Sequence, residues 1–225
     1  MILAVAGGKG GVGKTTVAYN LAAELGGLAV DGDLGMADLP GTSIGGSGGR
    51  EPDLHDVLAG RAEPNEAVRV VGGVPVLACG RTLAGARAAD PTRLPEVLET
   101  AAADRTWVVV DCPAGLRADA GLPLAVADAC LLVATPSRAA VGDALRTKSL
   151  AVELDAGIAG VAYNRAPAAG RAVEAVFGAP TVAIPESEVV GTARERARPV
   201  AAVAPESGVS SALGRVALQV ETCLA

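Results

Sequence analysis

The first sixteen residues place a glycine-rich segment directly between an apolar run and a helical pattern. Ile2–Ala6 is uniformly apolar, which is typical of a buried strand, and residues 16–25 are predicted to form a helix. Between them, residues 8–15 match the pattern G-x-x-x-x-G-K-[ST]. Glycines let successive backbone N–H groups turn toward one anion, and the start of the following helix adds a positive dipole. The sequence therefore predicts a phosphate-binding loop that joins this strand to this helix.

Eight residues of the loop are candidate nucleotide contacts: Gly8, Gly10, Gly11, Val12, Gly13, Lys14, Thr15 and Thr16. The Lys14 side chain can reach the outer phosphates, and the Thr15 hydroxyl can hold Mg²⁺. Gly8, Gly10 and Gly13 also fit the dinucleotide fingerprint G-x-G-x-x-G, but that interpretation leaves the lysine and the threonine of the loop unexplained. A glycine-rich turn without a ligand has no use for the lysine.

The run from Lys9 to Thr16 resembles the deviant Walker A box of the MinD/ParA family of ATPases. The resemblance implies an ATP-binding protein in which an extra lysine, here Lys9, reaches the partner's phosphates across a nucleotide-sandwiched homodimer. A solvated loop lysine is the alternative interpretation. The position of Lys9 inside the loop, in a chain with only three lysines, favours the functional one.

Acidic residues end two further predicted strands, where parallel strands open onto a ligand crevice. Residues 30–39 resemble the family's switch I, which implies that Asp33 orients the hydrolytic water. The role of Asp31 stays open between support of the metal environment and turn capping. Residues 107–116 resemble a Walker B strand followed by switch II. There Asp111 would hold Mg²⁺ together with Thr15, and the Gly115 N–H would sense the γ-phosphate.

The carboxyl-terminal third supplies candidates for the base of the nucleotide. Asn164 ends a predicted strand, and a side-chain amide offers the donor and acceptor that suit the edge of adenine. The turn Pro185–Glu186 resembles the family's base-contacting loop. An ordinary turn asparagine is the alternative for Asn164. The arginines at 194, 196 and 198 are interpreted as a solvated helix face rather than a contact patch.

Alternating apolar runs and helical stretches predict an α/β fold. We expect a doubly wound, mostly parallel sheet flanked by helices, a Rossmann-like three-layer P-loop NTPase, as one domain over residues 1–225. Only 2% of the residues are aromatic, so the core must consist of Val, Leu, Ile and Ala. Loops are expected over 40–52 and 80–91, and an apolar-faced helix is expected over the tail, 207–225.

Charge and cysteine content limit the function classes. The net charge of −6 argues against nucleic-acid binding, which needs a basic surface. Cysteines 79, 112, 130 and 223 form no C-x-x-C pair, and the buried ones are interpreted as small core residues. The tail has one basic residue, Arg215, which argues against direct membrane binding. The sole histidine, His55, has no partner cluster and is interpreted as a surface or packing residue.

The family resemblance implies a MinD-like ATPase that hydrolyses ATP with Mg²⁺ as a dimerisation switch for spatial positioning of a cell-division site or other cell-surface structure. Its expected partners are ATP and ADP, a second copy of the chain and an activating protein. We expect a cytoplasmic protein that reaches the membrane only through a partner. The alternatives are a ParA-type DNA-partitioning ATPase, which should show a basic face, and a nucleotide-dependent regulatory module with negligible hydrolysis.

Overall fold

The computed structural model describes residues 1–35, 39–40, 51–115 and 118–224. Within these residues one sheet contains eight strands: β1 (Ile2–Ala6), β2 (Leu28–Asp31), β3 (Arg69–Val71), β4 (Val74–Leu77), β5 (Val108–Asp111), β6 (Ala129–Ala134), β7 (Gly157–Asn164) and β8 (Thr181–Ile184). Their order across the sheet is β3-β4-β2-β5-β1-β6-β7-β8. All neighbouring pairs are parallel except β3 and β4, which form an antiparallel pair at one edge.

Helices cover both faces of this sheet. In the described ranges they are α1 (Lys14–Glu24), α2 (Leu54–Leu58), α3 (Pro64–Ala67), α4 (Leu83–Ala88), α5 (Leu94–Ala102), α6 (Ala118–Leu124), α7 (Arg138–Glu153), α8 (Arg171–Phe177), α9 (Glu188–Glu195), α10 (Val200–Val203) and α11 (Gly208–Leu224). One buried cluster packs α1 and α11 against the sheet, and a second packs α5 and α7 on the opposite face. The predicted α/β, mostly parallel, doubly wound architecture is confirmed.

The strand order positions the site. From β1 the chain continues to β2 on one side of β1, whereas the later strand β6 lies on its other side. The order of the strands therefore reverses at β1. In such sheets ligands bind in the crevice at the carboxyl ends of the strands around this reversal. All five residues of β1 are buried, so its carboxyl end can present the glycine-rich loop from a fixed base.

Several element boundaries differ from the sequence-based predictions. The loop predicted over 80–91 is wrong, because α4 forms within it after the Thr82 hydroxyl accepts a hydrogen bond of 3.0 Å from the Gly85 N–H. Helix α1 begins at Lys14 rather than at residue 16, because Gly13, with φ 98°, ends the loop directly before it. Of the loop predicted over 40–52, residues 41–50 lie outside the described residues.

Two other helices are capped by side chains, and the tail helix packs on the core. Asp53 caps the start of α2, and the helix ends at Leu58 with Ala59 as its C-cap, followed by Gly60 with φ 70°. Ser137 caps α7 through its hydroxyl. The tail helix α11 turns apolar residues such as Val216 and Val220 into the core, as predicted for a helix that packs on the rest of the chain. Among the described residues, no helix combines the length and the apolar character needed to cross a membrane.

Candidate functional site

The glycine-rich loop takes a backbone path that only glycine adopts readily. Gly11 and Gly13 have φ values of 80° and 98°, in the region that L side chains disfavour. A Cβ at Gly13 would also collide with the side-chain amide of Asn164. The loop therefore leaves β1, turns tightly and enters α1 at Lys14, with its N–H groups at the positive end of the helix dipole.

A cavity of about 260 Å³ opens in front of this loop. Its lining brings together the candidates for phosphate, metal and water chemistry: Gly10, Gly11, Gly13, Lys14, Thr15, Thr16, Asp33 and Asp111. Lys14 is 8% exposed and lies in the first turn of α1. The cavity thus brings together a buried cation, two threonine hydroxyl groups and two carboxylates, which come from distant parts of the sequence.

A third carboxyl group lies behind this lining. Asp31 ends β2 and is in register with Asp111 of the parallel neighbour β5. It is fully buried, and within the described part of the chain neither of its carboxyl oxygens has a hydrogen-bond partner. Burial raises the pKa of Asp31 well above its usual value, and the negative charges of Asp111 and Asp33 raise it further. The amides of Asp33 and Cys79 lower this pKa in part, without reaching hydrogen-bond geometry.

The donor set fits a magnesium ion. Hydroxyl and carboxylate oxygens are the ligands that Mg²⁺ prefers, and it is bound through one or two carboxylates plus phosphate oxygens. Thr15 and Asp111 supply such oxygens at the cavity wall. A cation there would offset the negative charge that raises the pKa of Asp31.

The remaining predicted residues lie around the cavity rather than on its lining. Asn164 donates a 2.8 Å hydrogen bond to the Val12 carbonyl, and its oxygen accepts one of 3.0 Å from the Arg165 N–H. Its amide therefore supports the loop from below. Lys9 is exposed outside the cavity.

The other predicted site residues, in the loop, after β5 and in the turn after β8, also lie off the cavity lining. Gly8 lies against Asp143, so a Cβ there would meet the α7 backbone. Gly115, with φ 93°, follows β5 next to the cavity-lining Ala114. Pro185 lies beside Gly208, and Glu186 is exposed. The structure does not bring this turn to the cavity lining.

The far wall of the cavity was missed by the sequence analysis. It comes from α9, α10 and their connection, with Arg194 and Arg198 exposed on its rim. The sequence predicts a solvated helix face for these arginines, and the structure shows that they also line the cavity. Two residues of α1 fix this wall. The Asn20 side chain accepts a 2.7 Å hydrogen bond from the Val200 N–H, and the Tyr19 hydroxyl donates to Ala197. No spacing in the sequence signals these contacts.

A glycine-rich strand–loop–helix that faces a carboxylate at the end of a neighbouring parallel strand defines a P-loop NTPase. The ParA family model, described as NUBPL iron-transfer P-loop NTPase, matches residues 1–182. The chain belongs to this family, and the predicted resemblance to MinD and ParA proteins is confirmed.

A similar ATP-binding protein agrees with this assignment. An uncharacterized ATP-binding protein of Methanocaldococcus jannaschii is 40% identical over 171 residues, which cover 73% of this chain and 64% of that protein. The chain thus spans slightly less than two thirds of this relative.

Two solved structures are similar over almost the whole chain. The cell division ATPase MinD of Pyrococcus furiosus has a TM-score of 0.90 at 31% identity, covering 98% of both chains. The septum site-determining protein MinD of Pyrococcus horikoshii, complexed with Mg-ADP, has a TM-score of 0.89 at 31% identity, covering 98% of this chain and 95% of that one.

Proposed function

We propose that this chain is a MinD-like ATPase that hydrolyses ATP with Mg²⁺ and uses the bound nucleotide to control its own dimerisation. The observation that carries the proposal is the convergence of Lys14, Thr15, Asp33 and Asp111 on one cavity of about 260 Å³. The Mg-ADP complex of the similar Pyrococcus horikoshii MinD supports the choice of nucleotide and metal.

The loop holds the phosphates in this proposal. The N–H groups of the loop residues Gly8 to Thr16 face the β- and γ-phosphates, and Lys14 neutralises their charge. Thr15 and Asp111 would hold Mg²⁺, which supplies neutralisation of the charge that develops on the leaving phosphates. Asp33 orients the attacking water, because its carboxylate lies on the same cavity without belonging to the phosphate loop.

The residues around the cavity take the remaining roles. The Gly115 N–H senses the γ-phosphate. Asn164 and the turn Pro185–Glu186 lie outside the cavity lining, so their contact with the base rests on the family resemblance alone. Lys9 is exposed, as a residue must be to reach the phosphates of a second protomer. The ATP-bound state is then the homodimer, an activating protein partner stimulates hydrolysis, and hydrolysis returns the chain to the monomer.

The biological role in this proposal is spatial positioning, of a cell-division site or another cell-surface structure, in the cytoplasm with membrane recruitment through a partner. The similar cell division ATPase of Pyrococcus furiosus supports it. The net charge of −6 speaks against the ParA-type role in DNA partitioning. A regulatory module with negligible hydrolysis differs from the proposal only in turnover.

Turnover and ATP binding of Asp33→Ala test this proposal. We expect hydrolysis to fall by about 100-fold or more, because general-base and orienting groups contribute about 10²–10⁴. The affinity for ATP should stay within about threefold, because the phosphate loop is intact. Asp104→Ala, which removes an exposed carboxylate far along the chain, is the matched control and should behave like the wild type. Tight ATP binding without turnover in the wild type would instead establish the regulatory module.

A further inference from the structure

The short helix α2 is fixed firmly beside the sheet. The Leu54 N–H donates a 2.9 Å hydrogen bond to the Ala78 carbonyl, just beyond the end of β4. Asp53 and Asp56 form a reciprocal capping box, with hydrogen bonds of 3.2 and 3.3 Å. Leu54 and Leu58 are fully buried in the second core. A side chain on α2 therefore occupies a well-defined position relative to β4 and its neighbour β2.

His55 on this helix contacts the segment that carries Asp33. The ring is 2% exposed, and its Nε2 lies 3.1 Å from the carbonyl oxygen of Leu34. A carbonyl oxygen can only accept a hydrogen bond, so Nε2 carries the proton and the ring donates the hydrogen bond to Leu34. Among the residues that the structure describes, the buried Nδ1 has no hydrogen-bond partner. An aliphatic residue would fill the same space without leaving a buried polar atom unpaired, so the bond to Leu34 is the feature that accounts for a histidine.

The residue on the other side of Asp33 is held by a backbone hydrogen bond. The Gly32 N–H donates a 2.9 Å hydrogen bond to the Asp111 carbonyl, which fixes the chain at the end of β5. Leu34 is held by His55 and packs against the second core. The backbone of Asp33 is thus anchored at both of its neighbours, once to the sheet and once to α2.

We propose that His55 is a positioning residue that holds the Asp33 carboxylate in the geometry for orienting water. The proposal rests on the proposed role of Asp33 in hydrolysis. His55 is not among the residues that line the cavity, and its bond lies outside the phosphate loop. Its loss should therefore lower kcat and leave nucleotide affinity nearly unchanged. A small displacement of a reacting group can cost up to about 10²-fold in rate.

Two amide variants form the matched test, because they differ only in reach. In His55→Gln the side-chain N–H₂ can lie near the position of Nε2 and donate to Leu34, whereas in His55→Asn it stops near Nδ1. We expect His55→Asn to lower kcat by about 10-fold and His55→Gln to stay within about threefold of the wild type. The affinity for ADP should stay within about twofold in both variants.

Hydrogen–deuterium exchange gives a readout that does not depend on turnover. In the nucleotide-free protein, a peptide covering residues 31–35 should exchange faster in His55→Asn than in the wild type, and His55→Gln should restore protection. If the wild type binds ATP without hydrolysing it, the proposed function fails, and this exchange alone decides whether His55 anchors the segment.

The positioning role is overturned by unchanged kcat and exchange in His55→Asn. It is also overturned if His55→Gln loses as much kcat as His55→Asn, or if the affinity for ADP falls in parallel with kcat. His55→Leu keeps the apolar volume and removes the donor, so it replaces His55→Asn if that variant does not fold. The same comparisons with His55→Gln then apply.

Discussion

Tyr19 connects three parts of the molecule through one hydroxyl group. It lies on α1, and its one O–H is shared between two carbonyl oxygens, that of Val71 at 2.8 Å and that of Ala197 at 3.2 Å. Val71 belongs to the β3–β4 hairpin, and Ala197 follows α9 with φ 48°, a value that alanine rarely adopts. Tyr19→Phe removes these bonds and keeps the ring. We therefore expect it to loosen the wall of the cavity from the phosphate-loop helix.

At neutral pH the substitution should lower the free energy of unfolding by about 1–2 kcal/mol. This is the usual cost of removing a hydrogen-bond donor from buried carbonyl acceptors. The effect should depend on pH, because burial raises the pKa of Tyr19 to about 12 and the positive charge of Arg198 only partly opposes this. An unfolded tyrosine loses its proton at about pH 10. Between these two pKa values the folded protein keeps a proton that the unfolded chain releases.

The stability of the wild type should therefore fall as pH rises through this window, by about 1.4 kcal/mol per pH unit. Phenylalanine has no proton to lose, so Tyr19→Phe lacks this contribution. The stability advantage of the wild type should be fully present below about pH 10 and shrink above it.

Urea unfolding followed by circular dichroism, at about pH 7.5 and about pH 11, measures this difference. Tyr163→Phe is the matched control, because Tyr163 is the other of the two tyrosines and no hydrogen bond of its hydroxyl is found among the described residues. It should cost less than Tyr19→Phe at neutral pH. A wild-type advantage over Tyr19→Phe that is the same at both pH values, or an equal cost for Tyr163→Phe, would refute the reasoning.

Three further substitutions test the site by thermal or urea unfolding. Gly13→Ala should destabilise the protein by about 1–3 kcal/mol, because the φ of 98° disfavours a side chain and the new Cβ meets Asn164. Asn20→Ala should cost about 1–3 kcal/mol, because it leaves the buried Val200 N–H unpaired. Asp31→Asn should stabilise the metal- and nucleotide-free protein at about pH 7, because burial raises the pKa of this carboxyl group and so disfavours its charged form. That gain should shrink as pH falls toward the ordinary aspartate pKa, where the carboxyl is protonated in both states.

The parts of the site that could be predicted from sequence are those with local signals. The loop pattern includes the lysine and the threonine, and Asp111 ends an apolar run, so each was recognisable without knowing the fold. The parallel sheet then brings the ends of these segments together, as the shared cavity shows. Asp33 also follows an apolar run, two residues after β2 ends at Asp31.

The parts that could not be predicted depend on contacts between distant segments. His55 contacts Leu34 only because β4 lies beside β2. The segment after β2 and helix α2 therefore meet at the carboxyl ends of these two strands. Asn20 and Val200 are 180 residues apart. Helix α4 lacks an apolar stripe, and just one of its residues, Gly85, is buried. Nothing in its periodicity distinguishes it from a loop.

The oligomeric state with each nucleotide tests the proposed switch most directly. Light scattering after size exclusion would compare wild type, Lys9→Ala and Asp33→Ala in ADP and in ATP, with binding of nucleotide confirmed in each sample. The proposal predicts monomers in ADP, wild-type dimers in ATP, persistent ATP dimers of Asp33→Ala, and weakened or absent dimers of Lys9→Ala. Monomers of wild type and Asp33→Ala with ATP bound, or dimers indifferent to both nucleotide and Lys9, would contradict it.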